Sequence, residues 1–262
     1  MTAVRNVWAL VQKEWRHYFA SPIAYVTLAA WCLLFGVFFN LLVGFFLQYS
    51  MQSMSRGGMG GPPISLNEIV IAQVLRQMAV VALFVTPMIT MRLFAEEKRT
   101  GTIELLATSP VTDLQIVLGK FFAALSLYAL MILAGMLNFG LLWIYATTKP
   151  EWKPLATGAL GLLLLGASFI ALGLFISSLT RNQIVAGILA FCLFLGIWVL
   201  GWMDDPMGGP VMRTLSYLGI TSHLEDLTKG IVDLKDVVYY LSVITFGLFL
   251  THQSVESQRW RA

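Results

Sequence analysis

Charge is what this sequence has least of. Asp, Glu, Lys and Arg make up 12% of it, against roughly 25% in an ordinary soluble domain. With 58% of its 262 residues hydrophobic, the chain has too little charge to cover the outside of a soluble protein. Histidine is scarce too: His17, His223 and His252 lie far apart, so no metal centre is expected. The two cysteines, Cys32 and Cys192, both fall inside apolar runs, where buried small side chains and no disulfide are expected. No GxxxxGK[ST] occurs, which excludes that way of cradling ATP. The net charge of +3 comes with no basic stripe interleaved with aromatics, so nucleic acid is not an expected partner. The first residues, MTAVRNVWALVQKEWRHYFASP, lack the unbroken apolar core of a signal peptide, and the mature chain is expected to begin at Met1.

What the sequence has is long apolar runs. A bilayer core demands about 20 apolar residues per helix. Six such runs occur, at about 22–47, 69–94, 116–145, 155–179, 184–203 and 237–250. The expected fold is an all-α integral membrane protein, one transmembrane domain over 1–262 with the lipid bilayer as its solvent. Before the first run, Val4, Val7, Trp8, Val11, Trp15 and Tyr18 recur at helical spacing between Arg5, Gln12, Lys13 and Arg16. That pattern predicts an amphipathic interfacial helix over 1–21, ended by Pro22. The Gly- and Met-rich stretch 50–63 reads as a loop.

Six spans put both termini on one side. Ten basic residues collect there (Arg5, Lys13, Arg16, Arg92, Lys98, Arg99, Lys120, Arg181, Arg259, Arg261), against six on the other side (Arg56, Lys149, Lys153, Arg213, Lys229, Lys235). The positive-inside bias predicts cytoplasmic termini. The segment 204–235 is then extracytoplasmic. Ser222 with Glu225 has capping-box spacing, Gly230 reads as a helix stop, and Asp233 with Asp236 as a second start, so short helices are expected there. Asp204 and Asp205 read as a solvated helix end. Trp143, Tyr145, Trp152, Trp202, Tyr239 and Tyr240 fit an interfacial belt.

One stretch breaks the pattern. FAEEKRTGTIELLATSP, residues 94–110, packs charge between two apolar runs. It is longer than a plain turn needs, and Ile103, Leu105 and Leu106 are apolar side chains that a solvated loop would not need. A charged, partly apolar helix suits docking into a groove on another protein, the apolar groups filling it and the charges fixing register. Gly101 allows a bend or close approach there, and Pro110 ends the segment.

Polar residues inside the runs are few. Gln73, Arg76 and Gln77 share neighbouring helix faces, and Asn40 and Asn138 lie in the first and third spans. Intramembrane polar groups face a pathway, a partner helix or the headgroups. These five are candidate pathway or dimer contacts, with snorkelling for Arg76 and interhelical bonding for the asparagines as the ordinary alternatives. Pro87 is expected to bend the second span.

The segment MRLFAEEKRTGTIELLATSPVTDLQIVLGK resembles the cytoplasmic connection of ABC type-2 permeases, E-x-x-x-G-T-x-E-x-L-x-x-x-P. Glu97, Gly101, Thr102, Glu104, Leu106 and Pro110 stand at the motif positions, with Glu96, Arg99, Thr100 and Leu105 among them. HYFASPIAYV, LGLFISSLTRNQIVAGI and SHLEDLTKGIVDLKDVVYYLS are similar to the gliding-motility-type branch of that family, so the likeness runs along essentially the whole chain. The resemblance implies a permease subunit in a bacterial inner membrane, with 95–110 as a coupling helix. It also implies a cytoplasmic ATPase (two copies) that carries ATP and Mg, no cofactor on this chain, a second permease copy or a related membrane protein, and an auxiliary membrane protein with an extracytoplasmic domain. Export is the expected direction.

Two other classes fit the sequence less well. Glu96 and Glu97 with Arg99 resemble the paired glutamates of an intramembrane protease, but that chemistry needs histidines inside the spans. A passive channel or scaffold would leave 94–110 unexplained, and no charged ring or filter is present.

Overall fold

The computed structural model describes residues 2–55, 66–102, 111–146, 150–202 and 209–259. Among them the chain is helical throughout: α1 (Thr2–Ala20), α2 (Pro22–Ser55), α3 (Ala72–Thr90), α4 (Ala95–Thr100), α5 (Asp113–Tyr145), α6 (Trp152–Leu179), α7 (Gln183–Leu200), α8 (Pro210–Tyr217), α9 (Ser222–Thr228) and α10 (Leu234–Arg259). A π-helical turn, Asn67–Ile71, runs directly into α3. Six of these helices are long and apolar enough to cross a membrane, as the apolar runs predict.

The helix ends follow local chemistry. Ser21 separates α1 from α2, and Pro22 is the first residue of the new helix, where its missing N–H is no loss. At the start of α5, Gln115 N–H donates to Thr112 Oγ1 and Thr112 N–H donates to Gln115 Oε1, a complete capping box. Asn182 caps α7 by accepting from Ile184 N–H at 3.0 Å. In α3, Pro87 supplies no N–H to the ladder, and Thr86 and Thr90 instead donate their hydroxyls to Ala82 and Thr86 carbonyls, at 2.7 and 3.0 Å.

Helix α6 is the axle of the bundle. Of its most apolar stretch 72% is buried, against 17% for α2 and 22% for α7. It packs on α3, α5, α7, α9 and α10. Lipid tails give helices no hydrophobic reason to associate, so close approach of backbones must do so. Glycines of α6 and α10 provide it: a Cβ on Gly166 would enter the ring of Tyr128, one on Gly173 would strike Thr90, and one on Gly247 would stand 2.9 Å from the Ala171 backbone.

Five expectations change. Both cysteines are exposed, because Cys32 and Cys192 sit on the two least buried spans. Ser222 does not cap α9: Thr221 holds the cap position and Ser222 is the first helical residue, its hydroxyl donating to the Gly219 carbonyl at 2.7 Å, so no capping box forms with Glu225. Tyr240 leaves the interfacial belt for the core, its hydroxyl donating to the Ile220 carbonyl at 2.8 Å. The last span is longer at both ends than its apolar run, because polar residues continue the helix to Arg259. Gly230, at φ 92°, is the expected stop after α9. Residues 50–55 of the Gly- and Met-rich stretch continue α2 instead of opening a loop; Asp204 and Asp205 and residues 56–63 lie outside the described residues.

Gly166→Ala is expected to lower thermal stability by about 1–3 kcal/mol, since the buried Tyr128 ring has nowhere to move. Gly196→Ala, where a Cβ meets nothing within 4 Å, should leave the melting temperature in detergent unchanged or slightly higher. Equal effects at the two sites would refute the close-packing account.

Candidate functional site

The charged stretch forms a short helix, α4, which ends at Thr100; Glu104, Leu105, Leu106 and Pro110 lie outside the described residues. At its N-terminus, the N–H groups of Phe94 and Ala95 both donate to Ser177 Oγ of α6, each at 3.1 Å. The same hydroxyl donates to the Met91 carbonyl at 3.2 Å, so one buried serine closes the gap between α3 and α4. Lys98 Nζ donates to the Ser178 carbonyl. At the other end, Gly101 turns the backbone left-handed at φ 72°, a conformation other L-residues avoid. Thr100 Oγ1 donates to the Glu96 carbonyl at 2.9 Å, covering one of the orphan acceptors of the last turn.

The charges of α4 divide into two groups. Arg99, Thr100, Gly101 and Thr102 are exposed, and Glu96 is half-buried. Glu97 turns inward: its Oε1 lies 2.9 Å from Lys120 Nζ of α5 and 3.3 Å from Lys13 Nζ of α1. Lys120 also reaches Glu14 Oε1 at 3.1 Å, and its ammonium sits 5.2 Å from the centre of the Phe94 ring. The side chain of Lys120 is 3% exposed and that of Glu14 9%. Two cations and two carboxylates thus cancel at the junction of α1, α4 and α5.

Helix α1 is fixed to α5 by more than this cluster. Asn6 Nδ2 donates to Gln115 Oε1 at 3.2 Å and Trp15 Nε1 to Ser126 Oγ at 2.6 Å. Leu10 lies against Gly119, where a Cβ would come within 2.7 Å. Val4 and Trp8 remain exposed on the opposite face, as an interfacial helix requires. Between α1, α2, α3, α4 and α5 a cleft of about 940 Å3 opens beside the ion cluster.

The residues read as pathway candidates are scattered. Arg76 lies 3.9 Å from Glu225 of α9, at the other end of the bundle, and both side chains are about half exposed. Lys229, donating to Glu225 at 2.8 Å, holds that carboxyl below its usual range. Gln73 and Gln77 are half-buried and Asn40 is exposed. Asn138 donates to the Gly135 carbonyl of its own helix at 3.1 Å, with its Oδ1 facing Gly36 of α2. These five do not converge on one site.

Sequence reasoning missed two constellations. Lys120 enters the sidedness argument only as a basic residue, although a lysine within an apolar helix start signals a buried partner. His223, far in sequence from the other histidines, is buried, with Nδ1 2.7 Å from Asp236 Oδ1 and its ring stacked 4.0 Å from Tyr239. Its Nε2 lies 2.9 Å from the Tyr217 carbonyl. The pair ties α8, α9 and the start of α10 into one cap.

Comparison with known families decides what this architecture is. The model of the ABC-2 family transporter protein matches residues 8–252. The chain belongs to the ABC-2 transporter family. It is also similar to the probable multidrug ABC transporter permease YbhR of Escherichia coli K12, 32% identical over 148 residues. The same permease in Escherichia coli O157:H7 matches to the same extent. The match covers 54% of this chain and 38% of that protein, so the chain spans well under half the length of these relatives. ABC-2 membership and six membrane-length helices make this a multi-pass membrane protein.

Removing one member of a buried ion pair leaves an uncompensated charge, at a cost of about 3–5 kcal/mol. Lys120→Met should therefore destabilise the protein severely in detergent melting experiments. The triple change Glu14→Gln, Glu97→Gln, Lys120→Met should recover most of that loss. Additive losses in the triple variant would show that Lys120 acts through packing alone.

Proposed function

We propose that this ABC-2 subunit forms half of an export pathway and is driven by a cytoplasmic ATPase docking on α4 and the residues that follow it. The observation that carries the reading is the mounting of α4. Its inner side is fixed to α6 through Ser177, to α5 through Lys120 and to α1 through Lys13, while Arg99 to Thr102 face outward. A force applied to the exposed side reaches three other helices through short, directional contacts. ATP and Mg belong to the partner, in two copies, and closure of the two ATPases pulls a pair of such helices together. The bundle answers as near-rigid bodies.

The basic residues favour an inner-membrane orientation with both termini cytoplasmic, which puts α1, α4 and the first turn of α5 on the ATPase side. A second copy of this chain or a related membrane protein completes the pathway. An auxiliary membrane protein with an extracytoplasmic domain fits the likeness to the gliding-motility-type branch, and the cap built by α8 and α9 is a surface for it. The outward direction is supported by the name of the similar permease, a multidrug transporter.

The test is purification from the native host in mild detergent, with mass spectrometry of bound proteins and an ATPase assay. The unaltered chain should bring down a Walker-motif ATPase. Arg99→Glu combined with Glu104→Arg should reduce its recovery by about tenfold, the equivalent of roughly 1.4 kcal/mol, with helical content intact. An ATPase recovered equally with both forms would move the docking site elsewhere. Its absence from the unaltered complex would remove the reading.

A further inference from the structure

The cleft beside α4 has a design that ATPase docking does not use. At about 940 Å3 it lies near the top of the roughly 300–1,000 Å3 range of small-molecule sites. Its lining is of two kinds: Arg16 and His17 of α1, Arg92, and Glu96 of α4 are polar, while Leu28 of α2, Met88 of α3, and Leu127 and Met131 of α5 are apolar, the last two buried. Lys120 and Met131 both line it and are eleven residues apart (131 − 120) on one helix. At 1.5 Å per residue the lining extends about 16 Å along α5, close to half of the roughly 30 Å hydrocarbon core.

Its charge is equally specific. Lys13 and Lys120 are neutralised by Glu97 and Glu14. Arg16 and Arg92 then face Glu96 alone, two positive charges against one negative. Arg92 Nε is buried with no hydrogen-bond acceptor among the described residues, and the buried Tyr18 hydroxyl, also on the lining, has no partner there either. A buried donor left unmatched is costly, and an anionic oxygen in the cleft would satisfy it.

We propose that this cleft holds an anionic phospholipid from the leaflet in which α1 lies, with its phosphate between Arg92 and Arg16 and an acyl chain along Leu28, Met88, Leu127 and Met131. The site rests on membrane embedding and not on ATPase docking, so either can fail without the other. A phosphate at this position touches α1 and the end of α3 together, and so ties lipid occupancy to the helices that hold α4.

The experiment is native mass spectrometry of the purified full chain, titrated separately with phosphatidylglycerol, phosphatidylcholine of the same acyl chains, and inorganic phosphate. One phosphatidylglycerol should be retained about tenfold more tightly than phosphatidylcholine, the effect of one charge-assisted hydrogen bond. Inorganic phosphate at the same concentration should leave that retention unchanged. Arg92→Gln should abolish the preference between the two lipids, and Thr27→Trp, which fills the cleft from α2, should lower retention of both. Equal retention of the two lipids by the unaltered protein, a measurement that needs no variant, overturns the proposal. So does displacement of phosphatidylglycerol by inorganic phosphate, a full preference surviving in Arg92→Gln, or undiminished binding in Thr27→Trp.

Discussion

A lysine ammonium buried among helices of an apolar bundle constrains everything around it. Taking that charge out of water costs several kcal/mol even after relaxation, on the order of what a whole domain has in reserve. Lys120 is tolerated because Glu14 and Glu97 approach from two other helices and the Phe94 ring covers its side. The consequence is geometric. Once Lys120 is placed on α5, the register of α1 and the rotation of α4 are both fixed, since neither carboxylate can turn away without leaving charge unpaired in a dry site. A hydrophobic contact would have allowed sliding; this one does not.

The rest of the bundle is assembled by a different rule. Away from the charged end, α6 is held by glycines that admit a ring, a threonine or another backbone, and by serine and threonine hydroxyls returned to carbonyls of their own turn. Such contacts are short-range and many, and each is weak. They suit a bundle whose helices keep their mutual spacing in lipid. Ser177 joins the two rules: it belongs to the α6 ladder by position, and it caps α4 by chemistry.

The spans were legible from apolar runs alone, because a bilayer leaves a helix almost no alternative. So were the helix α1, its break before Pro22 and the turn at Gly101, each set by residues within a few positions. What was not legible is orientation decided at long range. Nothing near Glu97 in sequence says that it turns inward, since its partners stand on α1 and α5. The same holds for Tyr240, whose acceptor at Ile220 becomes available only when α8 and α9 fold back over the bundle. Ser222 shows the converse failure. Its spacing to Glu225 satisfied the local rule, but the helix begins one residue too early: Thr221 holds the cap position, and Ser222, already helical, donates its hydroxyl back to the Gly219 carbonyl. The Thr112 and Gln115 box carried the same kind of signal and did form; its local rule had no competitor.

The ion cluster also determines what can move. Separating Glu97 from Lys120 would cost about 3–5 kcal/mol. Shifting α1 within the membrane interface exchanges one lipid contact at Val4 and Trp8 for another. The cheaper path is for α4, α1 and the start of α5 to travel together. Lys13 and Glu14, consecutive on α1, both contact the cluster, so any rotation of α4 is delivered to the interfacial helix at two adjacent points. On the proposed coupling, a stroke at α4 would therefore also displace α1, and the surroundings of Val4 and Trp8 would become part of its mechanical load. An occupant of the cleft would sit inside this moving unit, between α1 and the end of α3, where it could stiffen or loosen the unit without touching the exposed face of α4.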